Sequence, residues 1–371
     1  MAFEAQRKSY VREHLWYCEI EVAGVTIRIC ENVGPIPVGL DAMPLLKSSS
    51  ITPAQVNLAG GIGTRASATA SFNVGLDYRI YGTESAPVRF WENWRARNPG
   101  YQGGRFSLFS GYIVDGAYSA ANFERRDYII ESFSHTASGA SITAKDTLKM
   151  TSGDRAVAPR KSTGILAFYL IAASTSCTLM PIGVGDLEYP ASGWLRFGDE
   201  VVSFTRVGDV FTIVRAQYNT IAEDHEGNDL GQLCLYYNDN LSDIMYDLYT
   251  EYADVPAAQI NKPQWDNEVD QNLPGLYETL IAEPTGVDKL AKELAESAPH
   301  FQYWDERINK IVLTAIKAPP DLAQCYTAEA NILEGSTVIK DEPDMRISTV
   351  IVRFGQRDPT KKLEIWRGAK V

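Results

Sequence analysis

The stretch that decides the fold is 189–220, "YPASGWLRFGDEVVSFTRVGDVFTIVRAQYNT". Gly198-Asp199 and Gly208-Asp209 are turn dipeptides, because glycine enters positive φ freely and aspartate bonds its own backbone. Between the turns, Val202 and Phe204 alternate with Ser203 and Thr205, and beyond them Phe211 and Ile213 flank Thr212. Period-two alternation bounded by turn signals predicts antiparallel strands with one buried face. Trp194 and Phe197 are expected in the core of this ribbon. No catalytic side chain is expected at its strand ends, so it reads as architecture.

Upstream, residues 1–150 continue in the same style. "LWYCEIEVAGVTIRIC" is two strands around Ala23-Gly24, and in "RASATASFNV" Ala68, Ala70 and Phe72 alternate with Ser67, Thr69 and Ser71. "FSLFSGYIVDGAYS" and "RDYIIESFSHTASGASITAKDTLKM" extend the β pattern. One helix is expected at "APVRFWENWRARN", where Phe90, Trp91 and Trp94 share a face as a plug against the sheet. The polar stretch 151–164, "TSGDRAVAPRKSTG", reads as a linker. It leads to an inserted β-hairpin module at 165–232.

From 233 to 371 the pattern becomes α+β. In "NLSDIMYDLYTEYA", Ile244, Leu248 and Tyr252 lie on one helical face with Ser242 as N-cap. In "PTGVDKLAKELAES", Val287, Leu290 and Leu294 do the same, with Thr285 as cap. "FQYWDERINKIVLTAIK" is a hairpin turning at Asp305 to Arg307, and "MRISTVIVRFGQ" is a strand. The first and last regions are expected to pack together, and the chain reads either as a complete protein or as the ordered part of a longer design. The expected fold class is therefore α+β, mostly β.

A chain of 371 residues with 45% hydrophobic and 22% charged residues is globular and exceeds one core. Its 19 Tyr and 7 Trp suit β packing and large contact surfaces. The net charge of −12 argues against nucleic-acid binding, which needs clustered cations; Arg125-Arg126 and Lys361-Lys362 are the densest pairs. The N-terminal segment has no apolar h-region or cleavage site, and "GILAFYLIAAST" from Gly164 is too short to span a bilayer. A soluble chain without membrane insertion is expected.

Cys18, Cys30, Cys177, Cys234 and Cys325 form no CxxC, which argues against zinc or iron–sulfur ligation. Cys18 and Cys30 flank a hairpin and would face one another or serve as small buried hydrophobes. "GIGTRA" (61–66) fits G-x-G-x-x-A, but a strand follows where the pyrophosphate site needs a helix. "AEDHEGND" (222–229) gathers Asp224, His225, Glu226 and Asp229 without EF-hand spacing, and reads as a solvated hairpin tip. Asp199-Glu200 point to opposite faces of a strand and make a poor carboxylate pair; Glu124 with Glu131 shows no facing geometry. His14, His135, His225 and His300 fall in no H-E-x-x-H motif, and G-x-S-x-G is absent. No catalytic residue, cofactor or metal is assigned.

In chain order, the ribbon at 189–220, "IMYDLYTEYADVPAAQI", "EPTGVDKLAKELAES" and "FQYWDERINKIVLTAIK" resemble siphophage and prophage tail-tip proteins of the baseplate-hub kind. "NFERRDYIIESFS", "ITAKDTLKM" and "DRAVAPRKSTG" fit the same family upstream, so the likeness spans nearly all of 15–358. The resemblance implies a hub-type β-barrel, a small inserted β module and an α+β part. It also implies a virion protein made in the host cytoplasm that forms a trimeric ring. The ring would bind the tail tube, distal tail and tape-measure proteins on one side and a fibre or spike on the other, serving DNA ejection and host attachment. Iron–sulfur ligands occur in a neighbouring component of some tail tips, and the dispersed cysteines here do not match them. Two rival readings are a glycan-degrading tail enzyme and a distal receptor-binding module.

Overall fold

A computed structural model describes residues 13–32, 34–52, 68–75, 82–83, 86–87, 90–136, 139–317, 351–354, 359–360 and 367–370, with Phe3 and Arg7. "GIGTRA", Cys325, Lys361-Lys362 and most of "MRISTVIVRFGQ" lie outside them. The first region contains β1 (Glu13–Val22), β2 (Val25–Glu31), β3 (Met43–Thr52), β4 (Thr69–Val74), β5 (Arg105–Ile113), β6 (Phe123–Thr136) and β7 (Gly139–Lys145). These close into a barrel in the order β1-β2-β3-β4-β7-β6-β5, with β5 pairing back onto β1. The β1–β2 hairpin turns on Ala23-Gly24, both at positive φ (51° and 78°), which matches the right-handed twist of its strands.

Alternation along β1 divides two cores. Cys18, Ile20 and Val22 point inward to meet Phe72, Phe106, Leu108 and Ile142. Leu15 and Tyr17 point outward to Cys30, Ile113 and Phe123. Cys18 is registered opposite Ile29 and Cys30 opposite Tyr17, so the two free, buried thiols lie on opposite faces of the hairpin and cannot pair across it. Helix α1 (Phe90–Arg97) buries Phe90, Trp91 and Trp94 against the inner core, where the Trp91 and Trp94 rings both meet Phe133.

The ribbon belongs to a second sheet of seven strands: β8 (Ile165–Leu166), β9 (Ser176–Met180), β10 (Ser192–Phe197), β11 (Glu200–Val207), β12 (Val210–Gln217), β13 (Gln232–Asn240) and β14 (Leu276–Ile281). Their order is β8-β9-β12-β11-β10-β13-β14, with the short helix α2 (Val184–Glu188) after β9. Gly198 and Gly208 sit at positive φ in the two-residue turns, as the Gly-Asp dipeptides require. Phe197 is fully buried, but Trp194 is only half-buried, because alternation that sends Leu195 and Phe197 inward sends Trp194 out. Trp194 packs on Tyr236 of β13 at 4.7 Å.

Phe204 and Phe211 meet in this core with ring centroids 5.1 Å apart. Truncating Phe211 to Ala is expected to cost the sheet about 3–4 kcal/mol, read from urea unfolding. A loss under about 1 kcal/mol would mean that the ring contributes little packing.

The stretch 151–164 is more than a linker. Thr151, Ala156 and Ala158 are buried, and Val157–Ala158 pairs with Thr285–Gly286. Its small apolar residues sit in the core of the last region, which also takes in helices α3 (Leu241–Asp247), α4 (Lys262–Asn272) and α5 (Val287–Ser297) and the hairpin β15 (His300–Asp305)–β16 (Lys310–Ala315). Residue 232 opens β13, a strand shared by the ribbon and this region. The N–H of Gly231 nevertheless donates to the carbonyl of Gly164 at 2.9 Å, so the two ends of the ribbon segment are adjacent. We propose that it folds as a separate unit. Replacing 165–230 by a short Gly/Ser bridge should then leave the remainder folded by circular dichroism and proteolysis, since closing a short loop costs little; collapse of the remainder would contradict this.

Two caps differ from expectation. Asn240 caps α3 by accepting the Asp243 N–H at 3.0 Å, while Ser242 donates to Asp266 at 2.7 Å. Helix α5 starts after Gly286 with no side-chain cap, because Thr285 is taken up by its ladder with Ala158 and by a bond to Glu283 O. The β15–β16 turn spans Glu306 to Asn309, with Asp305 still paired to Lys310. This turn docks on the barrel: Asn309 accepts the Asp127 N–H at 2.9 Å and donates to Arg125 O at 3.1 Å, and Tyr128 donates to Glu306 at 3.1 Å. The first and last regions are thus joined. Near the end of the chain, β17 (Ile351–Phe354) pairs with β18 (Arg367–Lys370).

Candidate functional site

Period-two alternation places Glu200, Val202 and Phe204 on one face of β11, and Phe211, Ile213 and Arg215 on the matching face of β12. The apolar members form the core. The two charged members are buried with them at one end, where His225 joins from the loop that follows. The Glu200 side chain is 0% exposed, that of Arg215 9% and that of His225 5%.

The Glu200 carboxylate accepts from Arg215 Nε at 2.7 Å and Nη2 at 2.5 Å, a bidentate fork. It also accepts the backbone N–H of Ala216 (3.0 Å) and of Glu223 (3.2 Å), and His225 Nε2 lies at 2.9 Å. Burial alone would raise its pKa, but the bonds from Arg215, His225 and the two N–H groups outweigh it and hold the carboxyl at about 2. Arg215 also donates to the carbonyls of Ile171 (2.7 Å) and Glu223 (2.5 Å). A carboxylate saturated in this way has no lone pair directed at a substrate. It ties strand ends and loops together.

The "AEDHEGND" segment is part of the same device and more than a solvated tip: its Glu223, Asp224 and Glu226 are exposed, but its His225 is buried. Asp224 accepts the Ala172 N–H at 2.7 Å and the Tyr169 hydroxyl at 2.8 Å, which holds its carboxyl below the usual range. Asp229 accepts the Glu226 N–H at 3.0 Å. Asp224 and His225 thus bond to partners outside the segment and Asp229 to a backbone N–H within it, and among the described residues no group of three His, Cys, Asp or Glu is placed to hold a metal ion.

The other polar candidates are dispersed. Asp199 is half-exposed beside Arg196 (3.5 Å) while Glu200 is buried, so these neighbours do not face one groove. Glu124 pairs with Arg126 at 3.5 Å, and Glu131 pairs with Lys145 at 2.8 Å and Lys149 at 3.4 Å. The Arg125-Arg126 pair is likewise engaged, Arg125 with Asp127 at 2.9 Å and Arg126 also with Glu306 at 3.6 Å. His14 bonds Ser110 at 3.0 Å, and His135 lies 3.8 Å from Glu92. Buried His300 lies at the end of a relay. Tyr249 donates to Gln302, Gln302 donates to His300 Nε2 at 3.2 Å, and His300 Nδ1 donates to Ala298 O at 2.6 Å. Burial lowers its pKa, which favours the neutral tautomer that this chain of bonds requires.

Sequence reasoning missed the Glu200 cluster. The signal was present, since alternation puts Glu200 and Arg215 on the face of Phe204 and Phe211, and buried charges come in pairs.

No family model matches the chain, and no curated protein is similar to it in sequence. Among solved structures, it is similar to a chain from the virion of a native gene transfer agent particle, at 11% identity and a TM-score of 0.25. That likeness covers 62% of this chain and 82% of the other. At such a score it does not establish a shared fold.

Proposed function

We propose that the chain is a structural protein of a bacteriophage tail tip, a hub whose copies form a ring between the tail tube and the fibre or spike. The observation that carries this reading is the closed barrel from Glu13 to Lys145, the element that resemblance to hub proteins implies for this part of the chain. Two further features support an architectural role. The charged residues singled out from the sequence are largely tied into intramolecular bonds, and the barrel is joined to the last region through the Asn309 and Glu306 contacts.

The geometry also constrains how such a ring would work. The barrel interior is filled by Ile20, Phe72, Phe106 and Ile142, so DNA would pass between copies and not through one barrel. Closure of the barrel leaves it without free edge strands, so contacts between copies there would be made by side chains and loops. The net charge of −12 suits a wall that DNA crosses without sticking.

Gold labelling of an epitope-tagged copy in assembled particles tests the placement. Label confined to the end of the tail distal to the capsid is expected. Label on the capsid, or along the tail, would overturn it.

A further inference from the structure

We propose that the loop pair 168–172 and 221–226 is a docking surface for a protein segment whose apolar side chains are flanked by lysine or arginine. Phe168 is 76% exposed, Tyr169 52%, Ile171 51% and Ile221 73%, so large apolar side chains reach solvent from two loops that are bonded to each other. Such clusters mark interaction sites more often than single exposed residues do.

The loops that carry them are held rigid. Leu170 and His225 exchange both backbone hydrogen bonds at 2.9 Å. Arg215, itself fixed by Glu200, donates to carbonyls on both loops, and Asp224 bonds Ala172 N and the Tyr169 hydroxyl. A surface fixed before binding loses little conformational freedom when a partner arrives. The buried ion cluster therefore has a consequence at the surface: it fixes the backbone of the two loops from which these side chains project.

Charge selects the occupant. Glu223, Asp224 and Glu226 are exposed along one loop of the pair, in a chain of net charge −12. An acidic rim repels anionic lipid and nucleic acid. It also disfavours a second copy seated face to face on the same patch, where like charges would meet. It favours a cationic rim around an apolar centre.

The test uses the full chain, an amphipathic Leu/Lys peptide, its Leu/Glu counterpart, and phosphatidylcholine/phosphatidylglycerol vesicles. The Leu/Lys peptide should bind and weaken as salt is raised. Phe168→Ser with Ile221→Ser should reduce its affinity at least tenfold, whereas Ile182→Ser with Leu187→Ser, at still more exposed positions on α2 and the turn before it, should not. Glu223→Lys with Glu226→Lys should switch preference to the Leu/Glu peptide. Equal melting curves for all variants verify that folding is intact. Binding of neither peptide, equal binding of both by the unaltered chain, vesicle binding, or self-association abolished by the Phe168/Ile221 changes would each overturn the proposal. Because these readouts need no assembled particle, they stand or fall separately from the tail-tip placement.

Discussion

Replacing Glu200 by alanine is expected to destabilise the ribbon sheet by about 3–5 kcal/mol, since removing one partner leaves Arg215 buried without its counter-charge. The N–H groups of Ala216 and Glu223 lose their acceptor at the same time. Exchanging both partners, Glu200→Leu with Arg215→Met, should recover much of the loss, because no charge then remains buried. The same carboxylate predicts a pH dependence. Its folded pKa, about 2, lies below the ordinary 4.5, so its contribution is complete above pH 4.5 and is lost as pH falls toward 2. At roughly 1.4 kcal/mol per unit, that window carries about 3 kcal/mol. Urea titrations at pH 7 and pH 3 should show a smaller drop for Glu200→Ala than for the unaltered chain. An alanine variant within about 1 kcal/mol of the parent, or one with the parent's full pH dependence, would show that the cluster does not hold the sheet together.

In the barrel, Trp91→Ala is expected to cost about 4–5 kcal/mol. The ring is 1% exposed and packs against Phe90, Trp94 and Phe133, so its removal opens a cavity that a closed barrel is poorly able to collapse. Its Nε1 donates to Gly75 O at 2.8 Å, which would leave that carbonyl at the end of β4 unpaired. Trp91→Phe keeps most of the packing and should cost less than half as much. Thermal unfolding followed by near-ultraviolet circular dichroism separates these cases, and equal losses for the two variants would contradict the packing account.

Much of this fold is legible in local chemistry. Gly-Asp turns, the Ala23-Gly24 turn, the alternation of Ala68, Ala70 and Phe72, and the helical spacing of Phe90, Trp91 and Trp94 each act over a few residues, and each element is present. What was hidden is non-local. Barrel closure depends on β5 meeting β1 across the chain, and no short pattern encodes that pairing. The stretch 151–164 looks polar, but its two buried alanines are held by a partner at Thr285, far along the sequence. Trp194 departs from expectation for another reason: its aromatic character suits a core, but strand parity decides, and Trp194 and Phe197 cannot share a strand face. Parity also carried the Glu200–Arg215 pair. His225 joins them only because its loop folds back against Leu170.

The central claim is that copies of this chain form a ring in a tail tip, and one measurement meets it directly: a cryo-electron density map of the assembled tip with the chain fitted and its copies counted. Three or more copies around the tail axis, with acidic or neutral side chains facing the lumen, is the predicted result. A single copy per tail, or a lumen lined by lysine and arginine, would contradict it. A monomer in dilute solution would not, because neighbouring tail proteins stabilise the assembled form by mass action.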